Sequence, residues 1–352
     1  MARTEPVPGS VAPAGKSSLP AGLRLRPGAA TGSIGPMLYE RIFPRWRPDP
    51  ATRPTASSSA GAALSLEWLG TAGWIVRSAR TTVLLDPFVT RPSLARTALS
   101  PLVPDAGAIE RWIPPRVDAV LCGHSHYDHL LDAPAIARAR GALLIGSAST
   151  CAFGRAAGIA EEKLREVPPD GLRLDVGDLS LRFVPSKHGR LGRVWLPFPG
   201  EVRATPPLPR RLWHYRMGGA YGIVVRAPGA TLYHNGSADL VDAELAGERA
   251  DVLVVGLAGR KATRDYFARL CGALAPSLVV PTHHDAFFAP LERGLRLLPG
   301  IDLEGFASEI RSRAPGATIA LPGYAETLAV PAGDARGAAF VAASASGATA
   351  AR

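Results

Sequence analysis

Three of the eight histidines in this chain stand within six residues, in His124-Ser-His126-Tyr-Asp128-His129. Imidazole nitrogens and a carboxylate suit zinc or a similar borderline cation. On extended chain His124 and His126 point the same way, and a turn after them would aim Asp128 and His129 at a neighbouring point. Two adjacent ions can share such a cluster. The plain alternative is a surface loop that happens to be rich in histidine, but no other segment spends histidine this way. The other five, His188, His214, His234, His283 and His284, all follow it.

The surrounding pattern says what must position these groups. Residues 117–122 form a short apolar run ending at Gly123 and read as a buried strand. Asp132-Ala-Pro-Ala then starts a helix, with Asp132 as its cap and Pro134 in its first turn. Upstream, 64–68, 74–77 and 82–85 read as strands, the last stopping at Asp86-Pro87. Downstream, 143–145 reads as a strand and 149–157 as a helix. Residues 172–176 and 179–184 read as a hairpin about Gly177-Asp178, and 220–226 with 231–234 as a second about Pro228-Gly229. Strand 252–255, helix 263–274 and strand 278–280 follow, and the last strand delivers Pro281-Thr-His-His-Asp. Residues 317–321 and 327–330 close the series. Strands in meander, then strands alternating with helices, predict two packed sheets with helices outside.

In this order the motifs resemble those of the metallo-β-lactamase superfamily, of which H-x-H-x-D-H after a strand is the signature. Leu69-Gly70-Thr71-Ala72-Gly73 and Leu84-Leu85-Asp86-Pro87 look like its opening strands and structural aspartate. Ser186-Lys187-His188-Gly189 and Pro281-Thr282-His283-His284 look like its later ligand segments. The similarity spans roughly residues 64–331. It is nearest to the branch holding L-ascorbate-6-phosphate lactonase-like hydrolases and N-acyl-phosphatidylethanolamine-hydrolysing phospholipase D. The resemblance implies an α/β fold, a four-layer αββα sandwich of two mixed β-sheets with external helices.

It also implies a ligand set. His124, His126 and His188 would hold one divalent ion, and Asp128, His129 and His283 a second. The ions would be zinc, with manganese or iron compatible. His283 is preferred to His284 because it matches the Pro-x-His pattern. A carboxylate normally bridges the pair, but Ser237 occupies the aligned position in Tyr233-His-Asn-Gly-Ser237-Ala-Asp239. Asp239 is the expected substitute, against the alternative of a solvent-facing loop aspartate. Asp86 is expected to brace the metal loop. Asp285 would either orient a ligand histidine through its free ring nitrogen or cap a helix. Lys187, His284, Trp195 and His214 are candidates for contacting substrate. The last two lie in a proline-stiffened stretch, 190–216, rich in arginine and aromatics; it would grip an amphiphilic substrate or simply pack on the body.

The implied chemistry is hydrolysis. A metal-bound hydroxide would attack an ester, lactone or phosphodiester centre of a small-molecule or lipid-like substrate, with Asp128, His124 and His126 at the reacting centre. No G-x-S-x-G nucleophile motif is present. Two other readings stand beside this: a phospholipase D-like phosphodiesterase, and a metal-poor binding protein that has kept the fold but lost catalysis, for which Ser237 speaks.

Composition narrows the class. The net charge is +10, but the first 62 residues supply half of it, and only four of the 40 basic residues are lysine. That arginine excess reflects a GC-rich coding bias, and it argues against a nucleic-acid partner. Three distant cysteines, Cys122, Cys151 and Cys271, predict buried thiols and no disulfide framework. No apolar run is long enough for a membrane span, and no secretory leader is evident, so the expected location is the cytoplasm. The expected organisation is a disordered or loosely docked segment over 1–62, a hydrolase domain over 63–331, and a disordered tail over 332–352. Within the first segment, residues 37–46 are apolar enough to dock.

Overall fold

The alternation of apolar residues in the strands sorts side chains into three cores. On strands β2 (Leu64–Trp68), β3 (Trp74–Arg77) and β4 (Thr82–Leu85), Leu64, Leu66, Trp68, Trp74, Val76, Val83 and Leu85 share one core. The intervening Ile75 and Leu84 share another. This is the period-two outcome of pleated chain, where successive side chains point to opposite faces. On β2 the second face carries Ser65 and Glu67, so that strand alternates, whereas β3 and β4 bury apolar side chains on both faces.

The computed structural model describes residues 36–49, 53–56, 58–190, 194–207 and 210–341. All belong to one unit, Ile34–Arg352. Helix α1 (Pro36–Ile42) and strand β1 (Thr55–Ala56) precede β2. After β4 come α2 (Leu94–Leu99), α3 (Ala106–Trp112), β5 (Ala119–Leu121), the short α4 (Tyr127–Leu130), α5 (Ala133–Arg140), β6 (Leu143–Gly146), α6 (Ala148–Ala156) and β7 (Leu164–Glu166). Then follow β8 (Leu172–Val176), β9 (Leu179–Pro185), β10 (Tyr221–Ala227), β11 (Ala230–Asn235), β12 (Val252–Gly256), α7 (Tyr266–Leu274) and β13 (Leu278–Thr282). Last are α8 (Leu303–Arg313), β14 (Thr318–Ile319), β15 (Thr327–Val330) and β16 (Ala339–Val341).

The strands make two mixed sheets, ordered β1-β16-β15-β2-β3-β4-β5-β6-β7 and β14-β13-β12-β11-β10-β9-β8. In each, an antiparallel meander adjoins a parallel part: β4 to β7 in the first, β11 to β14 in the second. One core lies between the sheets. A second joins the first sheet to α3 and α5, and a third joins the second sheet to α7 and α8. The expected αββα sandwich is therefore the observed one. The three cysteines are buried and unbridged.

Several local expectations are corrected. Asp132 does not cap α5 through its side chain. Its carboxylate instead accepts the Val89 N–H (2.6 Å), the Thr90 N–H (2.8 Å) and the Thr90 hydroxyl, tying down the turn after β4. The tail is ordered as far as Val341, because β16 pairs with β15 and β1 and buries Phe340. Residues 342–352 and 1–35 lie outside the described residues. The 36–49 stretch is docked: Arg296 donates to the Phe43 carbonyl (3.0 Å) and to Glu40 (2.9 Å), and the Trp46 N–H bonds to the Leu295 carbonyl (3.1 Å).

Candidate metal centre

The carboxyl ends of β4, β5, β9, β11 and β13 deliver the polar residues that the sequence singled out. After β5, Gly123 turns the chain, and His124 to His129 fold into an extended step followed by α4. Gly123 donates to Asp86 Oδ1 (2.7 Å), and a Cβ there would crowd the Tyr221 carbonyl at 3.1 Å. The Ser125 N–H bonds to the Met217 carbonyl (2.9 Å), so β10's approach clamps the same loop.

Two groups of three donors result. His124, His126 and His188 bring one nitrogen each within 4.8 Å of one another, and an oxygen of Asp128 lies as close to one nitrogen each of His129 and His283. The rings of His124 and His129 are 3.7 Å apart between centroids, so the groups adjoin. His188, from the β9 side, lies 4.8 Å from both His124 and His126. His283 Nε2 is 3.2 Å from Asp128 Oδ2.

The donors are prepared for cations. Burial lowers the His124 imidazole well below its ordinary pKa, and burial together with His126 lowers His188 to about 3. Both rings are therefore neutral with lone pairs available. Burial alone would raise the Asp128 carboxyl, but His129 and the hydrogen bond from His283 more than reverse this and hold it well below the carboxylate range. Partners fix the tautomers. His188 Nδ1 donates to the Gly189 carbonyl (2.7 Å), His126 Nε2 to the Pro197 carbonyl (2.9 Å), and His129 Nδ1 faces Asp86 Oδ2 at 3.0 Å. Each leaves the opposite ring nitrogen free, as histidine ligands require. His124 Nε2 is buried with no partner among the described residues.

Asp239 is not part of either group. Its carboxylate accepts the Leu240 N–H (2.8 Å), and its carbonyl takes bonds from Ser186 and Asn235 (2.9 Å each), so the turn after β11 points it elsewhere. Ser237 Oγ donates to the Lys187 carbonyl (3.0 Å), a tie between strand ends. His284 is also outside the groups: it is 1% exposed, stacked on Trp68 at 4.5 Å with Trp46 at its edge, and so does not face a substrate. The left-handed backbone at His283 (φ 53°) turns these neighbouring rings into different surroundings. His234 is buried, with Nε2 3.0 Å from the Ala72 carbonyl and Nδ1 3.9 Å from Asp86 Oδ2. Lys187 is exposed beside His188. Trp195 is 53% exposed, 6.2 Å from Phe198. His214 accepts the Arg211 N–H (3.1 Å) and lines a cleft of about 380 Å³ with Arg203, Trp213 and Arg216. Pro209 of this stretch lies outside the described residues.

Sequence reasoning missed Arg91, Tyr324, Thr71 and the Pro197 carbonyl. One arginine among 40 basic residues carries no local mark, and a backbone oxygen carries none at all. Asp285 was noticed, but its carboxylate neither meets an imidazole nor caps a helix: Oδ1 accepts the Thr71 N–H at 2.8 Å.

Fold and centre together define a metal-dependent hydrolase of the metallo-β-lactamase type. The chain belongs to the β-lactamase superfamily: the sequence profile of the family described as "Beta-lactamase superfamily domain" matches residues 65–283. Among curated proteins it is similar to a UPF0173 metal-dependent hydrolase of Pyrobaculum arsenaticum, 29% identical over 229 residues, covering 64% of this chain and 85% of the relative. A protein of the same description from an Anaeromyxobacter strain is 29% identical over 262 residues, covering 72% and 85%. Among solved structures, the fold is similar to Igni18, a metallo hydrolase from Ignicoccus hospitalis, with TM-score 0.51, 20% identity, and coverage of 75% of this chain and 97% of that one.

Proposed function

We propose that the two donor groups hold two divalent ions, zinc first, and that the chain hydrolyses an ester, lactone or phosphodiester centre of a small or amphiphilic substrate. The observation that carries this is the convergence of His188 and His283, which come from distant segments, on the hexapeptide. The donors fit the ions: the lowered imidazoles of His124, His126 and His188, one ionised carboxylate at Asp128, and ring nitrogens held from behind at His126, His129 and His188. Bound ions would supply an acidified water and a polarised oxygen at neutral pH. Asp128, His124 and His126 would stand nearest the reacting atoms. Asp128, held ionised, is a poor proton acceptor and serves as charge and ligand. Asp86 keeps the proton of His129 on Nδ1, and Pro197 keeps that of His126 on Nε2.

One aromatic wall flanks the second group: Phe287 packs edge-on to His283 at 5.4 Å. It suits an apolar flank on the substrate, and exposed Lys187 and Trp195 and the cleft-lining His214 are the candidates for contacting the rest of it. Buried, unbridged cysteines fit a reducing compartment such as the cytoplasm. No helix of the described residues is long and apolar enough to cross a membrane.

One observation favours a second reading. With Ser237 and Asp239 both engaged elsewhere, Asp128 is the one carboxylate in the two groups among the described residues. A single negative charge facing two dications suits a centre with one firmly held ion, and hence a weakened enzyme or a binding protein. Turnover of a generic phosphodiester and a lactone by wild type and His126→Ala tests the proposal. Activity that chelator abolishes and the variant lacks is expected. Full activity in a metal-free variant would overturn it.

A further inference from the structure

We propose that Arg91, Asp285 and Tyr324 are positioning residues that set the backbone carrying His283, and thereby the ion affinity of the Asp128, His129 and His283 group. This rests on the functional reading above. The Asp285 carboxylate is fully buried two residues past His283. Its Oδ2 accepts from Arg91 Nη2 and from the Tyr324 hydroxyl (2.7 Å), while Oδ1 accepts the Thr71 N–H (2.8 Å). The Thr71 carbonyl in turn accepts the His283 N–H (2.7 Å), the Thr282 hydroxyl (2.6 Å) and the Trp68 indole N–H (3.1 Å). The chain of bonds thus closes: Asp285 holds Thr71, and Thr71 holds His283.

The backbone shows why holding is needed. Thr71, His283 and Arg91 all have positive φ, 50°, 53° and 42°. Non-glycine residues adopt that region only where surroundings over-determine it, and a β-branched threonine least of all. Gly70, itself at φ 80°, makes room: a Cβ there would sit 2.7 Å from Arg91 Nη1 and 2.9 Å from Asp285 Oδ2.

Stability alone is a poor reason for this arrangement. Arg91 is fully buried, yet its Nε and Nη1 have no partner among the described residues. Buried ion pairs are often no better for stability than apolar side chains of similar volume, and incompletely satisfied ones are worse. What the arrangement does provide is geometry. The turn 86–91 sends Asp86 to His129 at one end and Arg91 to the His283 turn at the other. Asp132 pins its middle through Val89 and Thr90. One turn thus reaches two of the three donors of this group, His129 directly and His283 through Asp285, and touches the other group only through the Gly123 N–H that Asp86 Oδ1 accepts ahead of His124.

The test is a two-step metal titration of the full chain, stripped with chelator and reloaded with Co(II) or Zn(II) against a chromophoric competitor. His188→Ala, which disables only the first group, assigns the two steps. Asp285→Asn keeps the Thr71 acceptor but loses the charge, and is expected to weaken the second group about 10- to 100-fold. Tyr324→Phe removes one donor and is expected to weaken it a few-fold. The His124, His126 and His188 step is unchanged in both. Should Asp285→Asn not fold, Tyr324→Phe and Arg91→Lys carry the comparison. Unchanged affinity at the second step, or both steps falling together with thermal stability, overturns the inference while leaving the function standing. A wild type that takes up no ion removes the functional reading and the inference with it.

Discussion

The two donor groups adjoin, but they are built on different principles. His124, His126 and His188 are neutral rings, and backbone carbonyls of Gly189 and Pro197 fix the tautomers of two of them. Asp128, His129 and His283 carry the charge of the centre and are backed by carboxylates, Asp86 directly and Asp285 through Thr71. His129 shows the contrast in its protonation. Burial alone would lower its pKa, but Asp86 and Asp128 outweigh burial and raise it. A group held by carbonyls depends on loop placement, and residue 197 belongs to an outer segment. A group held by buried charges depends on a network deep in the sandwich. Mutations far from each other in sequence should therefore act on one group and spare the other.

The strongest break of that contrast is Asp128→Asn. It removes the one negative charge of the second group, and the expected outcome is loss of one ion by elemental analysis and hydrolysis at background. Next, Asp86→Asn should weaken the second group about 10- to 100-fold in a competitive metal titration and leave the first intact, as loss of outer partners typically does. Equal loss at both groups would erase the distinction.

Acid should act through the neutral rings. His188 is lowered to about 3, and burial lowers His234 and His284 to about 4. These values lie below the unfolded value of about 6.5, so from about pH 6.5 down to 4 the unfolded chain binds more protons. The metal-free protein should therefore lose stability as pH falls through that window, by at most about 1.4 kcal/mol per group per pH unit. His129, raised, opposes this. Thermal melts of chelated protein at pH 7.5 and 5 check the sign; a flat profile contradicts it. The smallest effect belongs to Ser237→Ala. It removes a bond to the Lys187 carbonyl, costs about 1 kcal/mol in a denaturant melt, and leaves ion content alone.

Much of this was legible in the sequence where a signal is local. The strands 64–68, 74–77 and 82–85 are observed at those residues, because apolar residues alternate along the first, dominate the other two, and turn residues bound them. The hexapeptide, His188 and His283 were found by motif and meet in space. Helix α8 is not among the elements expected from the sequence, although Leu303, Phe306, Ala307 and Ile310 carry its period and Asp302 caps it by accepting the Gly305 N–H (2.8 Å). Strand β16 has three residues in an Ala- and Gly-rich stretch, too short to show a period. Asp239 was chosen by proximity in sequence, and a tight turn defeats proximity. Arg91 and Tyr324 meet Asp285 across 194 and 39 residues, and such pairing leaves no trace in any window of the chain.

The most direct test is the ion content of the full chain, purified without added metal and measured by elemental analysis. Two divalent ions per chain are expected, one for each group, with His188→Ala and His283→Ala each losing one. A wild-type protein that holds no ion, even after incubation with Zn(II), would contradict this expectation.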